Sequence, residues 1–295
     1  MTTFLFKFTF HALSLLPLSA LHRLGALLGH LTYALSGQYA RRIRENLQQA
    51  GYSLDEEQGR QLLSATIAEA GKSIVELPWI WGRSYEEVLS KVIECRGLQH
   101  FEAAQARGKS IIFLTPHQGC FEIFGLYMAQ QLPITLLYRP PRLAWLEGVM
   151  CRGRERGLAK LAKADLSGVR LLYKALKRGE TIGLLPDQVP SQGEGEWVNF
   201  FGRPAYTMTL VGRLAQTSDA TVLLVSAERQ ARGAGYVICF EPLPLDFTGS
   251  VTQQINTALE QLIRKCPSQY LWSYNRYKVP PGVQPPENNQ QYIDY

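Results

Sequence analysis

The residues able to do chemistry in this chain begin with a histidine and an acid. His117 and Glu122 lie five positions apart in the segment Pro116-His-Gln-Gly-Cys-Phe-Glu. The run before them, Ser110–Thr115 (SIIFLT), reads as a buried strand, and Cys120–Gln131 reads as a helix. His117 then falls in the strand-to-helix turn. Glu122 falls about one turn into the helix, from where its carboxylate can fold back toward the imidazole. A carboxylate bonded to one ring nitrogen fixes the tautomer and stabilises the imidazolium. The other nitrogen is left to take a proton from a hydroxyl. Deprotonating an alcohol as it attacks an acyl thioester suits this arrangement, and it requires no serine or cysteine nucleophile. Cys120 is the competing nucleophile, but nothing in the first helical turn orients it toward His117. One His followed by one acid is also a common coincidence, and a structural histidine or a helix cap is the plainer reading.

Further candidates follow downstream. Asp187 and Gln188 close the segment LLPDQ, just past an apolar run at Thr181–Leu185. Asp187 there positions a substrate or supports the base; an Asp opening a turn is the alternative. Arg139 follows the run ITLLY, and Arg152 and Arg154 form RGR. A fixed guanidinium stabilises an oxyanion or grips a phosphate, although any one of them also fits ordinary surface. Asn199–Pro204 (NFFGRP) puts Phe201 and Gly202 in a loop that lines a channel or plugs the core.

Composition narrows the classes. The five cysteines are odd in number and show no metal or redox spacing, so no metal and no cofactor is expected and a reducing compartment fits. The net charge of +6 is scattered, with no nucleic-acid motif. Ordinary solvated surface is one reading of this excess; anionic lipid or an acidic protein is the partner it would suit, and the first 45 residues favour lipid.

These residues need elements to hold them. Strands are expected at Ser110–Thr115, Ile134–Tyr138, Thr181–Leu185, Ala220–Ala227 and Tyr236–Phe240. Helices are expected at about Asn46–Trp81 (ended by Pro78), Cys120–Gln131, Ser167–Arg178, Tyr206–Gln216 and Val251–Lys265. That alternation predicts an α/β fold: a mostly parallel central sheet flanked by helices, with an N-terminal membrane-associated helical segment. Active sites in such sheets gather at the carboxyl ends of strands, where His117 and Asp187 fall.

Three divisions are expected: residues 1–45 as a membrane or interfacial segment, 46–278 as the catalytic domain, and 279–295 as a loose Pro/Asn/Gln-rich tail. Residues 4–35 are strongly apolar but split by Arg23. The uncharged runs on either side, 15 and 17 residues, fall short of the roughly 20 that a spanning helix needs. A helix with Arg23 snorkelling and a hairpin lying in the interface are both open. A signal peptide and a buried core helix are weaker alternatives. The cluster Arg41-Arg42-Ile43-Arg44 favours an anionic, cytoplasmic membrane face.

Taken in order, the His117/Glu122 turn, YRP (Tyr138–Pro140), RGR, ALKRGE (Ala175–Glu180), PDQ (Pro186–Gln188), FFG (Phe200–Gly202) and YLWSYNRYK (Tyr270–Lys278) resemble the bacterial lipid A biosynthesis acyltransferases. These are the late lauroyl and myristoyl transferases of the lysophospholipid-acyltransferase-like superfamily. The likeness covers nearly the whole chain. It implies transfer of a fatty acyl chain from acyl carrier protein to a hydroxyl of a Kdo-bearing lipid A precursor, at the cytoplasmic face of the bacterial inner membrane. It implies His117 as general base with Glu122 as its partner, and Arg154 and Asp187 as further catalytic residues. Arg139, Arg152, Gln188, Phe201, Gly202 and Arg276 become candidate substrate contacts. Asn275 departs from the two adjacent arginines that often close the last motif. The Asp after the His and the Pro-Glu-Gly element of the glycerol-phosphate branch are absent. Another glycolipid or lysophospholipid acceptor, a hydrolase, and a non-catalytic binding protein are the competing functions.

Overall fold

The computed structural model describes residues 2–141 and 143–286. The N-terminal part is helical: α1 (Thr2–Ser14), α2 (Leu18–Leu35), α3 (Gly37–Gln49), α4 (Glu57–Val75), α5 (Leu77–Gly82) and α6 (Tyr85–Leu89). Then come β1 (Val92–Arg96), α7 (Leu98–Ala106), β2 (Ile111–Leu114), α8 (Phe121–Gln131), β3 (Ile134–Tyr138), α9 (Ala144–Arg154) and β4 (Ala159–Lys163). The chain continues through α10 (Leu166–Lys177), β5 (Thr181–Leu184), β6 (Gly195–Phe200), β7 (Arg203–Met208) and α11 (Leu210–Ser218). It closes with β8 (Thr221–Arg229), β9 (Tyr236–Pro242) and α12 (Val251–Lys265).

Seven strands form one sheet in the order β1-β9-β8-β2-β5-β3-β4. Every pairing in it is parallel except β8 with β9. The expected α/β class and mostly parallel sheet are therefore present. Side chains on a strand alternate between faces, so each central strand serves two cores. Ile112 and Leu114 of β2, with Ile182 and Leu184 of β5, pack on one side beneath α10, α11 and α12. Ile111 and Phe113 pack on the other against Phe101 of α7 and Phe124 of α8. Burial on both faces is why these strands read as unbroken apolar runs rather than alternating ones.

The expected helix at Tyr206–Gln216 begins as a strand instead. β6 and β7 form an antiparallel hairpin, and only Leu210–Ser218 is helical. Its two-residue turn, Phe201-Gly202, has φ of +48 and +75. Left-handed backbone at both positions gives a tight hairpin turn. The long helix expected over Asn46–Trp81 is three: α3, α4 and α5. Residue 45, the expected end of the first division, lies inside α3. Of the expected tail, 287–295 lie outside the described residues. The carbonyls of Gly282 and Gln284 accept from Gln192 Nε2 and Trp197 Nε1, tying that stretch to the β6 region.

Among the described residues no helix is long and apolar enough to cross a membrane. Pro17 separates α1 from α2. Helix α2 packs against α4 at very short range: a Cβ on Gly71 would lie 1.9 Å from the carbonyl oxygen of Gly25. Its other side carries Leu27, Leu31 and Leu35, which are 65%, 50% and 78% exposed.

A buried charge cluster joins this helical region to the sheet. Glu76, between α4 and α5, accepts from Arg229 Nε at 2.9 Å, from the Tyr236 hydroxyl at 2.9 Å, and pairs with His22 Nε2 at 3.0 Å. Burial pushes the Glu76 carboxyl up, but Arg229 and then His22 outweigh it and hold it at about 2 rather than 4.5. A carboxyl depressed in the folded state stabilises above its unfolded value, and that contribution is lost as pH falls through the folded value. Stability should therefore decline as pH drops from about 4.5 toward about 2. Glu76→Gln should be less stable at pH 7, with a difference that shrinks across that acid window. Urea unfolding at a series of pH values checks this; a pH-independent difference would contradict the ion pair's role.

Candidate active site

His117 and Asp187 meet because of strand register. β2 and β5 are parallel neighbours, with Leu114 opposite Leu184. Each candidate lies three residues beyond its strand's last residue, after a proline. Equal offsets from paired residues in adjacent parallel strands bring the two side chains together at the carboxyl edge. Pro116 and Pro186 disfavour helical backbone at Thr115 and Leu185, so neither chain enters a helix directly from its strand.

The contact is double. Asp187 Oδ2 accepts from the His117 backbone N–H at 2.8 Å, and Oδ1 lies 2.8 Å from Nδ1. Asp187 is 2% exposed. Burial raises its carboxyl pKa, but His117 and Arg276 more than offset that, leaving it ionised below its ordinary range. An ionised carboxylate only accepts, so Nδ1 carries the proton and Nε2 presents a lone pair. Gln188 Nε2 lies 3.1 Å from that nitrogen and donates to it. Phe121 stands edge-on, its ring centre 4.9 Å from that of the imidazole.

The partner expected for His117 is thus displaced. Glu122 turns toward α9: its carboxylate accepts from Arg154 Nε at 2.8 Å, from Arg154 Nη2, and from Trp81 Nε1 at 3.1 Å. Burial would lower the Arg154 pKa, but Glu122 outweighs it and keeps the guanidinium firmly charged. A bidentate fork between planar groups fixes both side chains. In place of the expected His117–Glu122 pair there are two: His117 with Asp187, and Glu122 with Arg154.

One member of each pair, His117 and Arg154, lines a cavity of about 480 Å³ together with Gln188. Leu137, Met150, Leu166, Val169, Val189 and Leu210 make it largely apolar, while Arg139 and Arg213 add positive charge. That volume is typical of a small-molecule site. A narrower recess of about 40 Å³ lies beside Glu122 and Arg154, walled by Phe124, Leu136 and Gly183.

Comparison with known proteins decides what this arrangement belongs to. The profile of the family described as bacterial lipid A biosynthesis acyltransferase matches residues 1–279. The chain belongs to that family. It is similar to the lipid A biosynthesis lauroyltransferase of Escherichia coli K12, 28% identical over 280 residues, covering 91% of this chain and 89% of that one. The palmitoleoyltransferase of the same organism is 26% identical over 274 residues, covering 90% and 87%. A lipid A biosynthesis acyltransferase of Haemophilus influenzae is 28% identical over 281 residues, covering 90% and 85%.

Four expected substrate contacts of this acyltransferase lie away from the cavity wall. Arg152 is exposed on α9. Two positions along a helix are about 200° apart, so Arg152 and Arg154 cannot share a face. Phe201 is buried against Trp272 and under Arg264, and Gly202 makes the hairpin turn. Arg276 is 2% exposed and donates to the Tyr206 carbonyl at 2.9 Å and to Thr207 Oγ1 at 2.6 Å. It supports Asp187 electrostatically from behind. Cys120 is buried, and burial drives its thiol pKa well up, which argues against a thiolate nucleophile. Trp81 went unnoticed in the sequence because nothing near it marks a site. The segment after α12 also closes the site: Leu271 N–H donates to the His117 carbonyl, and the Tyr274 hydroxyl accepts from Val189 N–H.

Asp187→Asn should keep the size but lose the acceptor that fixes the imidazole. We expect kcat to fall by about 10²-fold or more, with Glu122→Gln acting independently through Arg154. Steady-state kinetics of each single variant and the double measure this. A near wild-type kcat in Asp187→Asn would remove Asp187 from the site.

Proposed function

We propose that this acyltransferase moves a fatty acyl chain from the thioester of acyl carrier protein to a hydroxyl of a Kdo-bearing lipid A precursor, at the cytoplasmic face of the inner membrane. The observation that carries the reading is the Asp187-held imidazole opening on a largely apolar cavity. The acceptor hydroxyl displaces Gln188 from Nε2 and donates its proton there as its oxygen attacks the thioester carbonyl. Nδ1–H stays on the ring, and Asp187 stabilises the imidazolium. Gln188 and the charge of Arg154 stand on the same wall, where an oxyanion needs donors. Collapse breaks the C–S bond, and the departing sulfur takes the proton from Nε2. The products are an ester and a free thiol, and His117 is neutral again.

Membrane seating is supported by the leucines of α2. Their exposed row, joined by Leu15 and Leu16 at 58% and 38%, suits a hairpin lying in the interface. Arg41 and Arg44, both exposed, follow in the middle of α3, where anionic headgroups would meet them. The scattered positive charge suits the acidic acyl carrier protein.

Purified enzyme given acyl carrier protein thioester and tetra-acylated precursor should yield a product heavier by one acyl chain in mass spectrometry. His117→Ala should lose at least about 10³-fold in rate. Activity surviving that change refutes His117 as base, and absence of product with the wild type refutes the donor–acceptor pair. Separately, changing Leu27, Leu31 and Leu35 together to Ser should abolish flotation with anionic vesicles. Unchanged flotation would place the membrane contact elsewhere.

A further inference from the structure

The loop that carries His117 is latched from behind by groups that do not line the cavity. Gly119, two residues beyond His117, has φ +59, and its carbonyl accepts from Arg229 Nη2 at 3.1 Å. A Cβ at Gly119 would lie 2.0 Å from the Ala227 carbonyl oxygen, so the loop sits flush on β8. Cys120 N–H donates to that same Ala227 carbonyl at 2.8 Å, and Gly119 N–H to the Gln269 carbonyl at 3.0 Å. The Gln269 side chain in turn clamps Arg229, accepting from its N–H and donating to its carbonyl, each at 2.8 Å.

Arg229 is 4% exposed and has few freedoms left. Its Nε and Nη2 grip Glu76, and its Nη1 donates to Glu69 Oε2 at 2.6 Å. His22 of α2 and Tyr236 of β9 hold Glu76 on its remaining sides. Placing so many charges out of water is a poor route to stability alone. What such a network supplies is a fixed position for the group it points at, here a carbonyl next to the catalytic loop.

We infer that Arg229 is a positioning residue for the acyl transfer: clamped by Glu76, Glu69 and Gln269, it fixes the Gly119 carbonyl and through it the angle at which His117 meets the acceptor hydroxyl. This rests on the reading of His117 as the base. Misplacing a reacting group by about 1 Å costs on the order of 10²-fold in rate, whereas the cavity walls that bind substrate are untouched.

Arg229→Met should lower kcat by about 30- to 100-fold with KM within about 2-fold of wild type. Arg229→Lys, which still donates to one partner, should regain part of that loss. A wild-type kcat in Arg229→Met overturns the inference. So does a loss in which KM rises equally and Lys restores nothing. If Arg229→Met does not fold, Arg229→Lys and Gln269→Leu decide: lowered kcat at unchanged KM supports the latch, and wild-type kcat in both overturns it. His117→Ala in the same assay separates the two readings. If it stays active, the base assignment fails. If it is inactive while Arg229→Met is unimpaired, only the latch fails.

Discussion

Parallel pairing of β2 with β5 is the constraint on which the site depends. In-register hydrogen bonding sets Leu114 beside Leu184, and equal three-residue extensions then carry His117 and Asp187 to the same point. A one-residue slip would turn every β2 side chain to the opposite face. It would move Phe113 out of its cluster with Phe101 and Phe124 and expose it to the other core. Packing on both faces therefore guards the register, and the register guards the His117–Asp187 contact.

Three arginines show how differently a buried guanidinium can be used. Arg154 forks onto Glu122 at the cavity wall and stays charged there. Arg276 sits behind Asp187, bonded to Tyr206 and Thr207, and biases that carboxyl toward the ionised form. Arg229 binds carboxylates and a backbone carbonyl, and is not itself part of the cavity lining. Lysine could not replace any of them fully, because one ammonium cannot present a planar fork to several fixed acceptors.

The helical N-terminal part and the α/β body are one packed unit. Glycine contacts between α2 and α4 leave no gap for slippage, and His22 reaches from α2 into the Glu76 cluster. The exposed leucines of α2 are thereby held at a set position relative to the cavity beside His117.

Much of this is legible in the amino-acid sequence itself. Buried parallel strands announce themselves as short apolar runs, and the expected strand Ile134–Tyr138 matches β3 residue for residue; the 3.6-residue apolar spacing of Val251–Lys265 marks helix α12 with the same bounds. His117 and Asp187 were singled out because they end such strands, and Arg154 because of its motif. Strands that alternate weakly, such as β4, β6 and β7, carry too little pattern to separate from loop or helix. Partner choice is what the sequence leaves open, with Glu122 favoured and Asp187 as one candidate support for the base. Nearness in sequence favoured Glu122 for His117, yet Asp187 lies 70 residues away and holds it. Residue types and strand ends are local properties, written in composition and periodicity. Which strand lies next to which, and hence which acid meets which base, is decided only when distant segments compete for the same buried space.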